Sequence, residues 1–177
     1  MNLDIGCTRL LIGKCGEQHL LRNQVAYLLA TAWHETGHTM QPIHERGAVS
    51  YFYKYEPGTS IGRRLGNTNK GDGYLFRGRG FVQITGRRNY QFSSTKLGVD
   101  FVGNPELVLD PNHAADIIVL GMKEGWFTGK KLADYVTLQQ SLFIPARRII
   151  NGTDCASLIA GYAVGYDAAL KAVGYGS

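Results

Sequence analysis

Apolar residues recur at helical spacing between Gln18 and His38, where Leu21, Val25, Leu28, Leu29, Ala32 and Trp33 follow a 3.6-residue period. The pattern predicts a helix over 18–38 whose end is marked by Gly37. From Gln41 to Gly80 the periodicity dissolves, and glycines at 47, 58, 62, 66, 71, 73, 78 and 80 read as loops with short strands. Residues 80–85, Gly-Phe-Val-Gln-Ile-Thr, alternate like a short strand that Gly86 breaks. Helices then dominate. Asn104-Pro105-Glu106 and Asp110-Pro111 each set a cap before a first-turn proline, which sacrifices no helical hydrogen bond. The second opens a helix over 112–126. A further helix is predicted over 141–150, kinked or delayed by Pro145. The last covers 154–173, with Leu158, Ile159, Tyr162, Tyr166 and Leu170 on its faces. The sum is a mostly helical α+β domain, a single one over 1–177, with a small irregular β-containing lobe and a helical lobe flanking a cleft.

Composition agrees with one folded domain: 177 residues, 44% hydrophobic and 19% charged, suffice for a core without metal or disulfide staples. Lysine and arginine number 19 against 14 acids, and the net charge of +5 favours polyanionic partners such as nucleic acid, an anionic membrane or an anionic cell wall. Three cysteines, Cys7, Cys15 and Cys155, are too few and odd in number for a disulfide framework, which points to synthesis in a reducing cytosol. The first residues lack a basic region followed by a long apolar stretch. No secretory signal and no stable membrane insertion are therefore expected, and a substrate outside the cytoplasm would require release by another factor.

Three segments carry chemistry. His34-Glu35-Thr36-Gly37-His38 matches the zincin pattern, in which two histidines one helical turn apart hold zinc and the glutamate activates water. Gly37 weakens the helix such a site needs, and no third ligand follows at a metzincin spacing, which leaves His44 and His113 as the candidates for one. Ten residues on, Glu45 precedes Arg46 and Gly47. Two carboxyls facing each other across a cleft can hydrolyse a glycoside, one as acid and one as base. Glu35 follows Trp33 at an apolar helix end, which favours the protonated form, and Glu45 beside Arg46 favours the ionised one. The third segment is Arg77-Gly78-Arg79-Gly80-Phe81-Val82-Gln83-Ile84-Thr85-Gly86-Arg87-Arg88-Asn89-Tyr90. It lacks the third glycine and the preceding strand of a nucleotide loop, and Gln83, Thr85 and Asn89 suit sugar hydroxyls. Its arginines make a nucleic-acid module a weaker option. Arg63, Arg64, Arg87 and Arg88 are candidates for electrostatic steering of an anionic substrate.

Taken together, His-Glu-Thr-Gly, Glu-Arg-Gly, the Arg-Gly-Arg-Gly run through Asn-Tyr, and Arg-Arg-Ile-Ile-Asn-Gly at 147–152 resemble family 19 glycoside hydrolases, the chitinases and related phage endolysins. The resemblance runs from about Val25 to Leu170. It implies a lysozyme-like fold and an inverting acid/base mechanism with no metal and no cofactor. It also implies Glu35 as general acid, Glu45 as general base and Thr85 as the hydroxyl that helps hold the attacking water. His34, Gln83, Asn89, Tyr90 and Asn151 are implied to contact substrate. A final-helix arginine of the plant enzymes has no counterpart, and their disulfide cysteines are absent, as in a bacterial or phage protein. The expected activity is that of a monomeric endolysin or lysozyme cutting β-1,4 bonds of peptidoglycan, made in a bacterial cytoplasm and acting on the wall after release. Chitin is the alternative glycan. A zinc protease built on His34, Glu35 and His38 is the remote one, and neither nucleic acid nor membrane is an expected partner.

Overall fold

The computed structural model describes residues 1–176. In chain order, α1 spans Thr8–Glu17, α2 Arg22–Glu35, β1 Ile43–His44, α3 Ser60–Leu65 and α4 Asp72–Leu75. There follow β2 Arg79–Gly80, α5 Arg87–Leu97, α6 Pro111–Glu124 and α7 Ala156–Ala172. Stretches of 3₁₀ helix fill Val49–Tyr55, Pro105–Leu109, Leu132–Asp134 and Pro145–Ile149. The architecture is mostly helical with a small two-stranded sheet, the α+β class that the sequence predicts. The chain divides into two compact units, Met1–Gln41 with Ala115–Ser177, and Pro42–Ala114.

In the first unit, α2 is buried on almost every side, with Val25 to Ala30 and Ala32 wholly inaccessible. It packs along α7, whose Ile159, Ala163, Tyr166 and Leu170 are equally buried. A helix that is apolar all round belongs in a core. Its start differs from the predicted residue 18. His19 takes a left-handed conformation (φ 55°) and Leu21 an extended one, so the helix begins only at Arg22. There the Leu21 N–H donates to Gln24 Oε1 at 3.1 Å, and Gln24 Nε2 donates to the Val136 carbonyl at 2.8 Å. Before this break stands α1, which the sequence reading leaves out; Thr8, Leu11 and Cys15 form its buried face. At the other end Thr36 terminates α2, its hydroxyl donating to Ala32 O at 2.8 Å and accepting from Met40 N at 3.0 Å. The predicted helices over 112–126 and 154–173 are α6 and α7. The one predicted over 141–150 is instead a 3₁₀ stretch that starts at Pro145, whose ring cannot sit inside an α-helix.

In the second unit, β1 and β2 pair antiparallel, Ile43 opposite Gly80 and His44 opposite Arg79. The predicted strand over 80–85 does not form. The chain reverses after Gly80, and Arg79 and Ile84 exchange backbone bonds of 3.2 and 3.0 Å, with Gln83 left-handed (φ 54°) at the turn. Phe81 and Ile84 both enter the core, and that spacing of three, not two, belongs to a turn. Helix α5 follows directly, also missing from the sequence reading, with Tyr90 and Ser93 buried.

A buried ion pair braces this unit. Asp72 accepts from Thr68 N, Asn69 N and Arg87 Nε through Oδ2, and from Arg87 Nη2 at 2.7 Å through Oδ1. Burial alone would raise the Asp72 pKa, but the guanidinium and the two N–H donors outweigh it and hold the carboxyl below its ordinary value. Because the folded value lies below the unfolded one, near about 3.9, the pair stabilises fully above that pH. Its contribution drains away as pH falls through the depressed folded value. Replacing Asp72 with Asn is expected to cost about 3–5 kcal/mol at neutral pH, the range for removing one partner of a buried pair. Denaturant titrations at descending pH should show the gap between variant and wild type closing in acid.

Candidate active site

Glu35 is the last residue of α2, delivered to the end of the buried helix by the Thr36 cap. Its carboxylate Oε1 accepts from Arg147 Nη1 at 2.6 Å. Arg147 lies in the 3₁₀ stretch Pro145–Ile149, is nearly inaccessible, and also donates Nε to Asp154 O at 3.1 Å and Nη2 to Asp154 Oδ2 at 3.3 Å. Burial opposes the charge on Arg147, and the bonds to Glu35 and Asp154 outweigh it, leaving its pKa raised. Glu35 therefore rests against a guanidinium and not in the purely apolar surroundings that the sequence suggests. Sequence reasoning gave Arg147 no role. Its signal is an arginine between Ala146 and Ile149, both fully buried.

Asn151 belongs to the same neighbourhood through its backbone, which donates to Arg147 O at 3.1 Å; its side-chain Oδ1 accepts from Gly152 N at 2.9 Å. His34 is half-buried one residue before Glu35. His38 sits apart from the helix, left-handed at φ 70°. Its ring stacks on Trp33 at 4.7 Å, and its Nε2 lies 3.3 Å from the Tyr162 hydroxyl. The two histidines are thus not one helical turn apart, and the zincin arrangement does not form. Among the described residues no group of three or more His, Cys, Asp or Glu side chains is placed to hold a metal.

In the second unit, the Glu45 backbone N–H donates to Gly78 O at 2.7 Å, continuing the β1–β2 pairing by one residue. The Glu45 carboxylate accepts from the Tyr55 hydroxyl at 3.1 Å, faces the Gly78 N–H at 3.4 Å, and lies 4.0 Å from Lys54 Nζ. Lys54 is itself seated over the Tyr51 ring at 3.5 Å. Burial first, and then the neighbouring Glu45 charge, raise the Tyr55 pKa, so its hydroxyl stays a donor. Neither Tyr55 nor Lys54 was a sequence candidate.

Gly78 gathers the remaining polar groups. A Cβ built there would come within 2.9 Å of Gln83 Oε1 and 3.2 Å of Thr85 Oγ1, so a side chain at 78 would crowd both. Thr85 donates its hydroxyl to Gln83 O at 2.9 Å, which leaves the oxygen lone pairs to accept from a water or a sugar. Gln83 Nε2 is engaged with Ile43 O at 2.8 Å and Gly80 O at 3.1 Å, so this side chain braces β1 more than it reaches outward. Asn89, exposed on α5, donates to Thr85 O at 2.7 Å. Tyr90 is a correction. Its ring is fully buried and its hydroxyl donates to Arg77 O at 2.7 Å and accepts from Arg79 Nη1 at 2.8 Å, so it holds the loop from beneath and touches no substrate.

Comparison with known proteins adds two findings. A family model described as chitinase class I, glycoside hydrolase family 19, matches residues 8–130. "Chitinase 8" of Oryza sativa subsp. japonica is 30% identical over 112 residues, 63% of this chain and 37% of the rice protein. The chain thus spans well under half the length of that curated relative. Glu35, Glu45, Gln83, Thr85 and Asn89 fall inside the family match, whereas Arg147 and Asn151 lie beyond it.

The Arg147 contacts generate a stability prediction. Arg147→Ala strips Glu35 and Asp154 of their shared cation; because the acids left behind are partly exposed, at 20% and 58%, the expected cost by chemical denaturation is about 1–3 kcal/mol. Arg147→Lys should recover only part of this, because one ammonium cannot reproduce a fork that serves three acceptors at once.

Proposed function

This chain belongs to the chitinase class I family of glycoside hydrolases, family 19, and we propose that it hydrolyses β-1,4 bonds of N-acetylated glucosamine polymers. The target is cell-wall peptidoglycan. Glu35 donates a proton to the leaving oxygen, and Arg147 offsets the negative charge left on Glu35 once the proton has gone. Glu45 takes a proton from the attacking water, with the Thr85 oxygen accepting from that water and Tyr55 and Gly78 fixing the carboxylate. Acid and base act in one displacement, so the anomeric configuration inverts. The protein works as a monomer without metal or cofactor. It is made in a bacterial cytoplasm and acts on the wall after another factor releases it.

The observation that supports this reading is that Gly78 has the Glu45 carboxylate at its N–H and the Thr85 hydroxyl and Gln83 amide packed against its Cα. A carboxylate and a hydroxyl gathered at one glycine suit the handling of a water nucleophile. The choice of peptidoglycan rests on the net charge of +5, which an anionic wall attracts and neutral chitin does not. Chitin is the second reading, favoured by the name of the rice relative.

Glu35→Gln keeps the size and hydrogen bonding of the side chain but has no proton to give. Its turnover is expected to fall by about 10²–10⁴-fold, the usual contribution of a general acid or base, and Glu45→Gln should fall by a similar factor. Thr85→Val should lose turnover while keeping its melting temperature. The assay is mass analysis of fragments from purified peptidoglycan and from N-acetylglucosamine oligomers, with NMR of fresh products to read the anomer. Near wild-type rates for Glu35→Gln, or a retained anomer, would overturn the mechanism. Cleavage of the oligomers alone would move the substrate to chitin.

A further inference from the structure

Around α3 the second unit ties down two acids and leaves several cations exposed. Glu56 spends its carboxylate on the backbone, accepting from Gly71 N at 2.8 Å and Gly73 N at 3.0 Å. Asp72, nearly inaccessible, is consumed by Thr68 N, Asn69 N and the Arg87 fork. Of the four arginines singled out for steering, Arg87 is thereby already committed. Arg63 and Arg64, in the last turn of α3, Lys70 in the following loop, and Arg88 in the first turn of α5 are all exposed.

Two contacts tie α3 to α5 beneath these cations. The Arg88 side chain lies over Gly66 at the C-cap of α3, and Leu65 lies against Gly86 at the start of α5. Lys70 stands in the loop that Asp72 ties down through its two N–H bonds. Arg63 donates Nη1 to Gly58 O at 2.6 Å, which leaves its other guanidinium donors facing outward. None of the four has an acidic partner among the described residues. A rigid loop with its own acids neutralised internally presents an uncompensated positive field.

We infer that the α3–α5 face, Arg63, Arg64, Lys70 and Arg88, is a docking surface for a phosphate-bearing glycopolymer of the cell wall, separate from the hydrolytic groups. The planar forks of arginine match the oxygens of a repeating phosphate. Phe92, exposed one turn after Arg88 on α5, sets an apolar ring beside the cations, so lipid vesicles and nucleic acid are the competitors the test must include. The choice of a wall polymer over other polyanions rests on the glycan reading given above; the anion site itself does not.

The test is co-sedimentation of the full chain with purified bacterial sacculi that retain their phosphate polymer, against the same sacculi stripped of it. Anionic lipid vesicles and duplex DNA serve as competing probes. Arg63→Glu/Arg64→Glu/Arg88→Glu should weaken binding to polymer-bearing sacculi by about tenfold or more, the scale of several exposed ion pairs acting together. A Gln triple at the same positions should lose less. Lys130→Glu/Lys131→Glu/Lys171→Glu makes the same change of net charge on exposed positions of the first unit and should bind nearly as wild type. Equal losses in the two Glu triples would overturn the site and leave only net charge. Undiminished binding to stripped sacculi, or a patch-dependent preference for vesicles or DNA, would overturn the partner. Patch-dependent binding in a protein that cleaves no glycan would sustain the anion site and overturn the hydrolase reading.

Discussion

The buried guanidinium of Arg79 is the fixed point on which the second unit depends. A charge taken out of water must find its hydrogen bonds inside the protein or destabilise it by several kcal/mol. Arg79 finds them in every direction: Nε at 3.0 Å and Nη2 at 2.5 Å to Glu106 Oε1, and Nη1 to Leu75 O, Arg77 O and the Tyr90 hydroxyl. The two carbonyls bracket the residues immediately before Gly78, so the guanidinium fixes the loop that faces Glu45. The backbone of Arg79 pairs with His44 on one side and Ile84 on the other. One residue therefore sets the height of Glu45, the reversal that carries Thr85, and the depth of Tyr90.

Buried or half-buried ion pairs recur, but with different asymmetry. At Arg79 the cation is buried and Glu106 is mostly exposed, at Asp72 the acid is buried and Arg87 partly exposed, and at Arg147 the cation is buried beside a partly accessible Glu35. The buried member of each pair is the one the surrounding backbone also satisfies, by carbonyls for the arginines and by N–H groups for Asp72. Backbone groups thus define the site, and the more exposed partner supplies charge balance. In that arrangement Glu35 is the more accessible end of its pair, held by the guanidinium on one side.

How much of this the sequence disclosed depends on the range of the interaction involved. The apolar periods of α2, α6 and α7 are local, and those helices were legible within a few residues at most ends. Where one residue's backbone breaks the pattern, as at His19 and Gln83, periodicity alone misplaced a helix start and invented a strand. Helices α1 and α5 escaped because their buried faces are short and partly polar, Thr8, Leu11 and Cys15 in one, Tyr90 and Ser93 in the other. Glu35, Glu45, Gln83 and Thr85 were singled out because they sit in dense motifs. Arg147, 112 positions from the carboxylate it binds, was not, since nothing local to Pro145–Ile149 names its partner. Tyr90 misled for the reverse reason: it adjoins Asn89 in sequence, yet the helix turns successive side chains by about 100°, leaving one exposed and one buried.

The Arg-Gly-Arg-Gly run shows how a motif dense in charge can be spent on contacts inside the protein. Each of its four residues answers a different internal demand. Arg77 lies over the Tyr74 ring at 4.2 Å and is largely covered, so its charge faces an aromatic surface. Gly78 must lack a side chain because Gln83 and Thr85 occupy the space a Cβ would need. Arg79 is turned wholly into the core. Gly80 adopts φ 89°, which starts the reversal and brings the chain against Val108. Two arginines spent internally and two glycines required by close approach leave no cradle of free N–H groups for an anion. What the run builds is a wall behind Glu45, with the carboxylate at the Gly78 N–H and the Thr85 hydroxyl packed against the same glycine. The cations left for a polyanion are the ones outside it, on α3 and α5, where the loop has already neutralised its own acids.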